Sequence, residues 1–136
     1  MSTEYPQVDY SSLDPLFPDK TSEAASRYHY SRSALLARAQ FALEKLYNRP
    51  EKVIVVVSHS GFMRLAVTGC WFFNADYRVF DFAPRSEDGS LQLQQASSTK
   101  EQGGGLSWSR SEELVLGSEL PEEVPPPEVA PSTTAA

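Results

Sequence analysis

Apolar positions recur along this chain with more than one period, and each period predicts an element. Leu35, Ala39, Ala42 and Leu46 follow one another at spacings of four, three and four, with Leu36 and Leu43 beside them. That is one stripe of an amphipathic helix. Thr21 or Ser22 supplies an N-cap, and Glu23 stands in the first turn, where the helix dipole favours a carboxylate. Asn48 and Pro50 end the pattern, so the sequence predicts one helix from about Ser22 to Tyr47.

The next segment, "VIVVV" from Val53 to Val57, is apolar at every position. A strand with one face in water alternates, whereas one apolar throughout has both faces covered, as in a parallel sheet between helices. Gly61 then opens a second helix with Phe62, Leu65, Ala66 and Gly69 on a short inward face. "YRVFDFAP" and "LQLQQAS" follow as two strands, with Asp88-Gly89 as the turn signal between them. Helix, buried strand, helix and strand pair is an α/β order, and it predicts part of a three-layer αβα sandwich. An inner strand needs neighbours on both edges, and the chain offers too few strand-like segments to supply them. Open apolar edges and self-association through them are the expected consequence.

The two ends carry no such periodicity. Residues 1 to 21 set Pro6, Pro15 and Pro18 among aromatic and acidic residues, which predicts an ordered loop. From Thr99 onward the chain is polar and glycine-rich, and Pro121, Pro125, Pro126, Pro127 and Pro131 make up half of its ten prolines. Little apolar surface is left there to offset the entropy of ordering. Residues 1–98 are therefore expected to form the domain and residues 99–136 a disordered, acidic, proline-rich tail.

Composition narrows the functional classes. A net charge of −6 without clustered Lys and Arg argues against a nucleic-acid partner. No apolar run is long enough to cross a bilayer, so no membrane partner is expected. The single Cys70 excludes an internal disulfide, and "MSTEYPQVDY" has neither the basic nor the apolar region of a secretion signal. A cytoplasmic location is the expectation. His29, His59 and Cys70 are widely spaced, which gives no metal-ligand cluster and no expected cofactor.

Candidate chemistry concentrates in "SHSG", Ser58 to Gly61, where the apolar strand ends and a helix begins. In open α/β sheets ligands gather at this edge, because helix N–H groups and the positive end of the dipole point there. One reading makes Ser58 and Ser60 helix caps and His59 a satisfied turn residue. A second is the G-x-S-x-G elbow of serine hydrolases, but Ser58 and Phe62 replace both glycines and no histidine follows His59. The third makes His59 the chemical residue, with an oxyanion held between its ring and the backbone at Ser60 and Gly61. It accounts for every residue of the motif.

An apolar run followed by "SHSGFMR" resembles the C-terminal histidine motif, "THGGF" or "SHGGF", of the histidine phosphatase superfamily, the phosphoglycerate-mutase-like proteins. "YPQVDYSSLDPLFPDKT", "LYNRPEKVIVVVSHSGF", "NADYRVFDF" and "GGGLSWSRSEELVLGSELPEE" are similar, in order, to the fungal branch of that group. The likeness covers nearly the whole chain. It implies the C-terminal half of a phosphoglycerate-mutase-like fold and a phosphomonoester hydrolase, or less readily a mutase, acting on a phosphorylated small molecule through phosphohistidine. In that family a histidine in an R-H-G motif takes the phosphoryl group, a second histidine and two arginines hold it, and a carboxylic acid protonates the leaving oxygen. His59 matches the second histidine, and Arg64 on the following helix reads as structural. No R-H-G occurs in the chain. His29 reads as a mid-helix residue, and Glu4, Asp9, Asp14 and Asp19 are carboxylates without a motif match. The resemblance therefore implies a chain inactive alone and an enzyme only when completed. The alternative is a non-catalytic pseudoenzyme or interaction fragment.

Overall fold

Ser22 and Ser31 each start a helix. The Ser22 hydroxyl accepts from the Ala25 N–H at 3.3 Å and caps a 3-10 helix, Glu23–Tyr28. The Ser31 hydroxyl accepts from the Ala34 N–H at 3.3 Å and caps α1, Arg32–Tyr47. In the computed structural model, which describes residues 5–106 and 108–121, the single helix expected over residues 22–47 is thus broken between Tyr28 and Arg32. The cause is local: a serine hydroxyl offers the backbone a partner outside the helical ladder. The loop expected before it is present over residues 5–21. It docks on Tyr28, whose hydroxyl donates to Asp14 Oδ2 at 2.7 Å and whose ring stands edge-on to Phe17.

α1 ends at Asn48 as its sequence predicts, with both the Asn48 backbone N–H and its Nδ2 donating to the Glu44 carbonyl. Leu35, Ala39 and Leu43, four apart, form its buried stripe. They meet Ala66 and Val67 of the next helical segment, Leu91 of the hairpin and Leu120 near the end of the described chain. That segment starts as α2, Ser60–Phe62, and continues through a π-helical turn, Met63–Val67, where the Thr68 N–H reaches back to the Met63 carbonyl at 2.8 Å.

The two strands expected around "YRVFDFAP" and "LQLQQAS" pair antiparallel as β1, Phe80–Phe82, and β2, Leu93–Gln95. Phe80 faces Gln95 and Phe82 faces Leu93, and the hairpin closes around Asp88-Gly89. Gln40 of α1 fastens it to the helix: its Nε2 donates to the Leu91 carbonyl at 3.0 Å and its Oε1 accepts from the Leu91 N–H at 2.9 Å. One side chain thus satisfies both backbone groups of a residue that is 1% exposed, groups that would otherwise be buried without partners. The fold is a mixture of helix and sheet, and no helix among the described residues is long and apolar enough to cross a membrane.

Two expectations are corrected. Val53–Val57 does not form a strand buried on both faces: Val53, Val55 and Val57 are 83%, 85% and 93% exposed. The sequence states what a strand there would need, but the only sheet among the described residues is made of β1 and β2, which pair with each other. The expected disordered tail also begins too early at residue 99. Thr99 and Leu120 are buried, Cys70 and Glu113 form a bridge, and the Gly69 carbonyl accepts from the Leu114 N–H at 2.9 Å. The rest of that tail, residues 122–136, lies outside the described residues.

Gly69 makes the return of residues 109–121 possible. Its φ is +75°, and a Cβ would stand 2.5 Å from the Leu114 carbonyl oxygen. Gly69→Ala is expected to cost about 1–3 kcal/mol through left-handed backbone strain and this clash, read by urea denaturation. An unchanged midpoint would show that the approach to Leu114 relaxes freely.

The hairpin turn carries a pH dependence. The Ser86 hydroxyl first, then the Ser90 backbone N–H, hold the Asp88 carboxyl down to about 2. A depressed carboxyl stabilises the turn fully above its ordinary 3.8 and loses that contribution as pH falls through about 2. A carbon-detected NMR titration should place the Asp88 midpoint near 2, and Ser86→Ala should raise it toward 3.8.

Candidate functional site

The backbone turns into α2 at His59, which has φ −86° and ψ 139° and whose carbonyl accepts from the Met63 N–H at 3.1 Å. No side chain caps this helix. The capping role considered for Ser58 and Ser60 is therefore unfilled, and the mouth of the helix is open. His59, Ser60 and Gly61 are all exposed there. A Cβ on Gly61 would meet nothing within 4 Å, so packing does not demand glycine at that position. Its absence of a side chain leaves the backbone accessible to a ligand. Among the described residues, no hydrogen bond or ion pair engages the His59 ring.

The other candidate residues are committed elsewhere. Arg64, half-buried, makes an ion pair with Glu119 at 3.1 Å and so fastens residues 115–120 to the helix it sits on. His29 is not mid-helix: it follows the 3-10 helix, and its Nε2 lies 2.9 Å from the Ser22 carbonyl oxygen, a contact that puts the proton on Nε2. Glu4 lies outside the described residues. Asp9, Asp14 and Asp19 each accept a hydrogen bond from a backbone N–H two residues on, at 2.8–2.9 Å. Those bonds lower the carboxyls: the Ser11 N–H for Asp9, the Leu16 N–H and then the Tyr28 hydroxyl for Asp14, the Ser22 hydroxyl foremost for Asp19. A leaving-group acid must hold its proton near neutral pH, and these groups are shifted the opposite way.

The open depression lined by Asp81, Gln94, Gln95, Ala96, Ser97 and Lys100 lies on the hairpin and takes in none of the expected site residues. Among the described residues, no group of three or more His, Cys, Asp or Glu side chains is arranged to hold a metal ion. Sequence reasoning overlooked Arg78, which is 9% exposed. Its guanidinium donates to the Thr99, Lys100 and Arg110 carbonyls at 3.1, 3.3 and 2.7 Å, binding two returning segments to the approach of β1. An arginine ahead of a strand carries no pattern that announces such a role.

Cys70 is buried beside this region, and burial pushes its thiol up from the ordinary value. It is a thiol at neutral pH and not a nucleophile. Iodoacetamide should leave Cys70 unmodified in the folded chain and alkylate it in denaturant, as read by intact mass. Rapid modification without denaturant would show that the 109–121 segment does not cover it.

No protein-family model matches the chain, and neither a curated protein nor a solved structure matches it.

Proposed function

We propose that the chain is the C-terminal part of a phosphoglycerate-mutase-like histidine phosphatase domain, a partial three-layer αβα sandwich in which His59 holds a phosphoryl group. The observation that supports this reading is the uncapped mouth of α2, with an exposed histidine ring and accessible backbone at Ser60 and Gly61. A phosphate oxygen placed there meets the imidazole and helix N–H donors together. In phosphomonoester hydrolysis of this type a nucleophilic histidine takes the phosphoryl group from its ester oxygen, and water then releases it as inorganic phosphate. The His59 donor neutralises charge on the non-bridging oxygens as the phosphoryl group transfers. The nucleophile, the arginines and the leaving-group acid would come from outside residues 1–136, since Arg64 is engaged by Glu119 and hydrogen bonds lower the carboxyls of Asp9, Asp14 and Asp19. The substrate class is a phosphorylated small molecule, and the setting a cytoplasmic one.

The bare Val53–Val57 segment favours a second reading, a non-catalytic interaction fragment. Activity assays separate the two. The chain alone should hydrolyse an aryl phosphate no faster than buffer, because a covalent mechanism does not survive loss of its nucleophile. Joined to an R-H-G-bearing segment of the same superfamily it should turn over, and His59→Ala should then lower the rate by about a hundredfold. Ser60→Ala should stay within a few-fold, because the site uses the Ser60 backbone. Loss of activity in Ser60→Ala with His59→Ala unaffected would overturn the phosphatase reading. A joined protein that folds and remains inert would favour the interaction fragment.

A further inference from the structure

Exposure along Val53, Ile54, Val55, Val56 and Val57 runs 83%, 37%, 85%, 50% and 93%. This alternation has the two-residue period of an extended chain. Ile54 and Val56 are the less exposed positions, and Val53, Val55 and Val57 form a row in water. Among the described residues, no hydrogen bond uses a backbone N–H or carbonyl of these five. The segment is thus apolar and open at its backbone, which is the template for adding a strand from another polypeptide.

The chain's own C-terminal residues do not suit this template. Pro121, Pro125, Pro126, Pro127 and Pro131 have no N–H to donate to a strand ladder. A second copy of the segment does suit it. In an antiparallel pair centred on Val55, Val53 faces Val57, Ile54 faces Val56, and Val55 faces its own equivalent, so every position meets a β-branched partner. Charge then selects the direction. The antiparallel register sets Glu51 of each copy opposite His59 of the other and Lys52 opposite Ser58. Parallel in-register pairing would set Glu51 against Glu51 and Lys52 against Lys52, and like charges directly opposite are destabilising. Among the described residues Glu51 is exposed and pairs with the exposed Arg49, a weak surface pair that leaves its carboxylate within reach of a neighbour.

We propose that the chain forms a two-fold symmetric dimer by antiparallel pairing of Val53–Val57, with Val55 on the axis and Glu51 of each copy facing His59 of the other. The pairing is isologous and closes at two copies. It goes beyond the phosphatase reading and does not rest on it.

Sedimentation of the full chain at micromolar concentration should give twice the 15.1 kDa chain mass. Single cysteines test the register. Directly opposite residues have Cβ atoms about 4.5–5.5 Å apart, so Val55→Cys should link to itself. Val53→Cys and Val57→Cys should not self-link, being about 13 Å from their own equivalents, but should link to each other when mixed. The unaltered chain measures the background from Cys70. Glu51→Lys and His59→Glu should each weaken the dimer about fivefold, and the double variant should restore it, because the reversed pair still faces itself across the axis. A monomer at all concentrations, self-linking at all three positions, assembly past two copies, or a dimer abolished by removing residues 122–136 would each overturn the proposal.

Discussion

Everything described in this chain hangs on the stripe of α1. Leu35, Ala39 and Leu43 gather the π-helical segment, the hairpin and the end of the described chain onto one small core, and Leu43 and Leu91 are its fully buried large side chains. A core this small leaves few apolar contacts to lose, so polar fastenings carry unusual weight. Gln40 is the clearest, because it replaces a missing strand for Leu91 by satisfying both of its backbone groups. Removing that side chain would leave a buried N–H and carbonyl unpaired, a cost that falls on the structure whichever contacts remain.

Those fastenings mark the limit of what the sequence makes legible. The α1 stripe and the hairpin are periodic patterns, and both appear close to where their spacing places them, with Asn48 closing the helix and Asp88-Gly89 closing the turn. The break between Tyr28 and Arg32 was present in the sequence as Ser31, but a serine inside an apolar-striped segment does not announce itself as a cap. The return of residues 99–121 was hidden more thoroughly. Glycines 103–105 read as linker composition, yet Gly105 takes φ +63° and a Cβ on it would stand 2.1 Å from the Ala75 carbonyl oxygen. Here glycine is a requirement of close packing rather than of flexibility. Arg78 and Asp76 complete the attachment through backbone groups and Ser109, partners that no local pattern encodes.

The error at Val53–Val57 is of a different kind. Its composition describes the surroundings a strand of that sequence requires, namely neighbours on two edges and cover on two faces. Composition cannot supply those neighbours. The described residues place two strands elsewhere and leave this segment exposed, so the mismatch between requirement and surroundings is itself the information. His59, by contrast, was legible as a position, at the end of the apolar run and the start of a helix, and it stands there. Arg64, read as structural, is held in the pair with Glu119, and the carboxylates that matched no motif are drawn into turns.

The strand and the site are linked by distance along the chain. His59 lies two residues beyond Val57, and side chains on an extended segment alternate between faces. A shift of one residue in the pairing of Val53–Val57 would exchange Val53, Val55 and Val57 with Ile54 and Val56, and carry the His59 ring to the opposite side. His59 is also the N-cap residue of α2, with φ −86° and ψ 139°, so its own torsions set where the imidazole points relative to the N–H groups of that helix. Among the described residues no hydrogen bond holds the ring, and a donor without a fixed orientation contributes little to stabilising developing charge. In the antiparallel dimer proposed above, the Glu51 carboxylate of the other copy faces this ring, so pairing and anion binding would compete for the same imidazole.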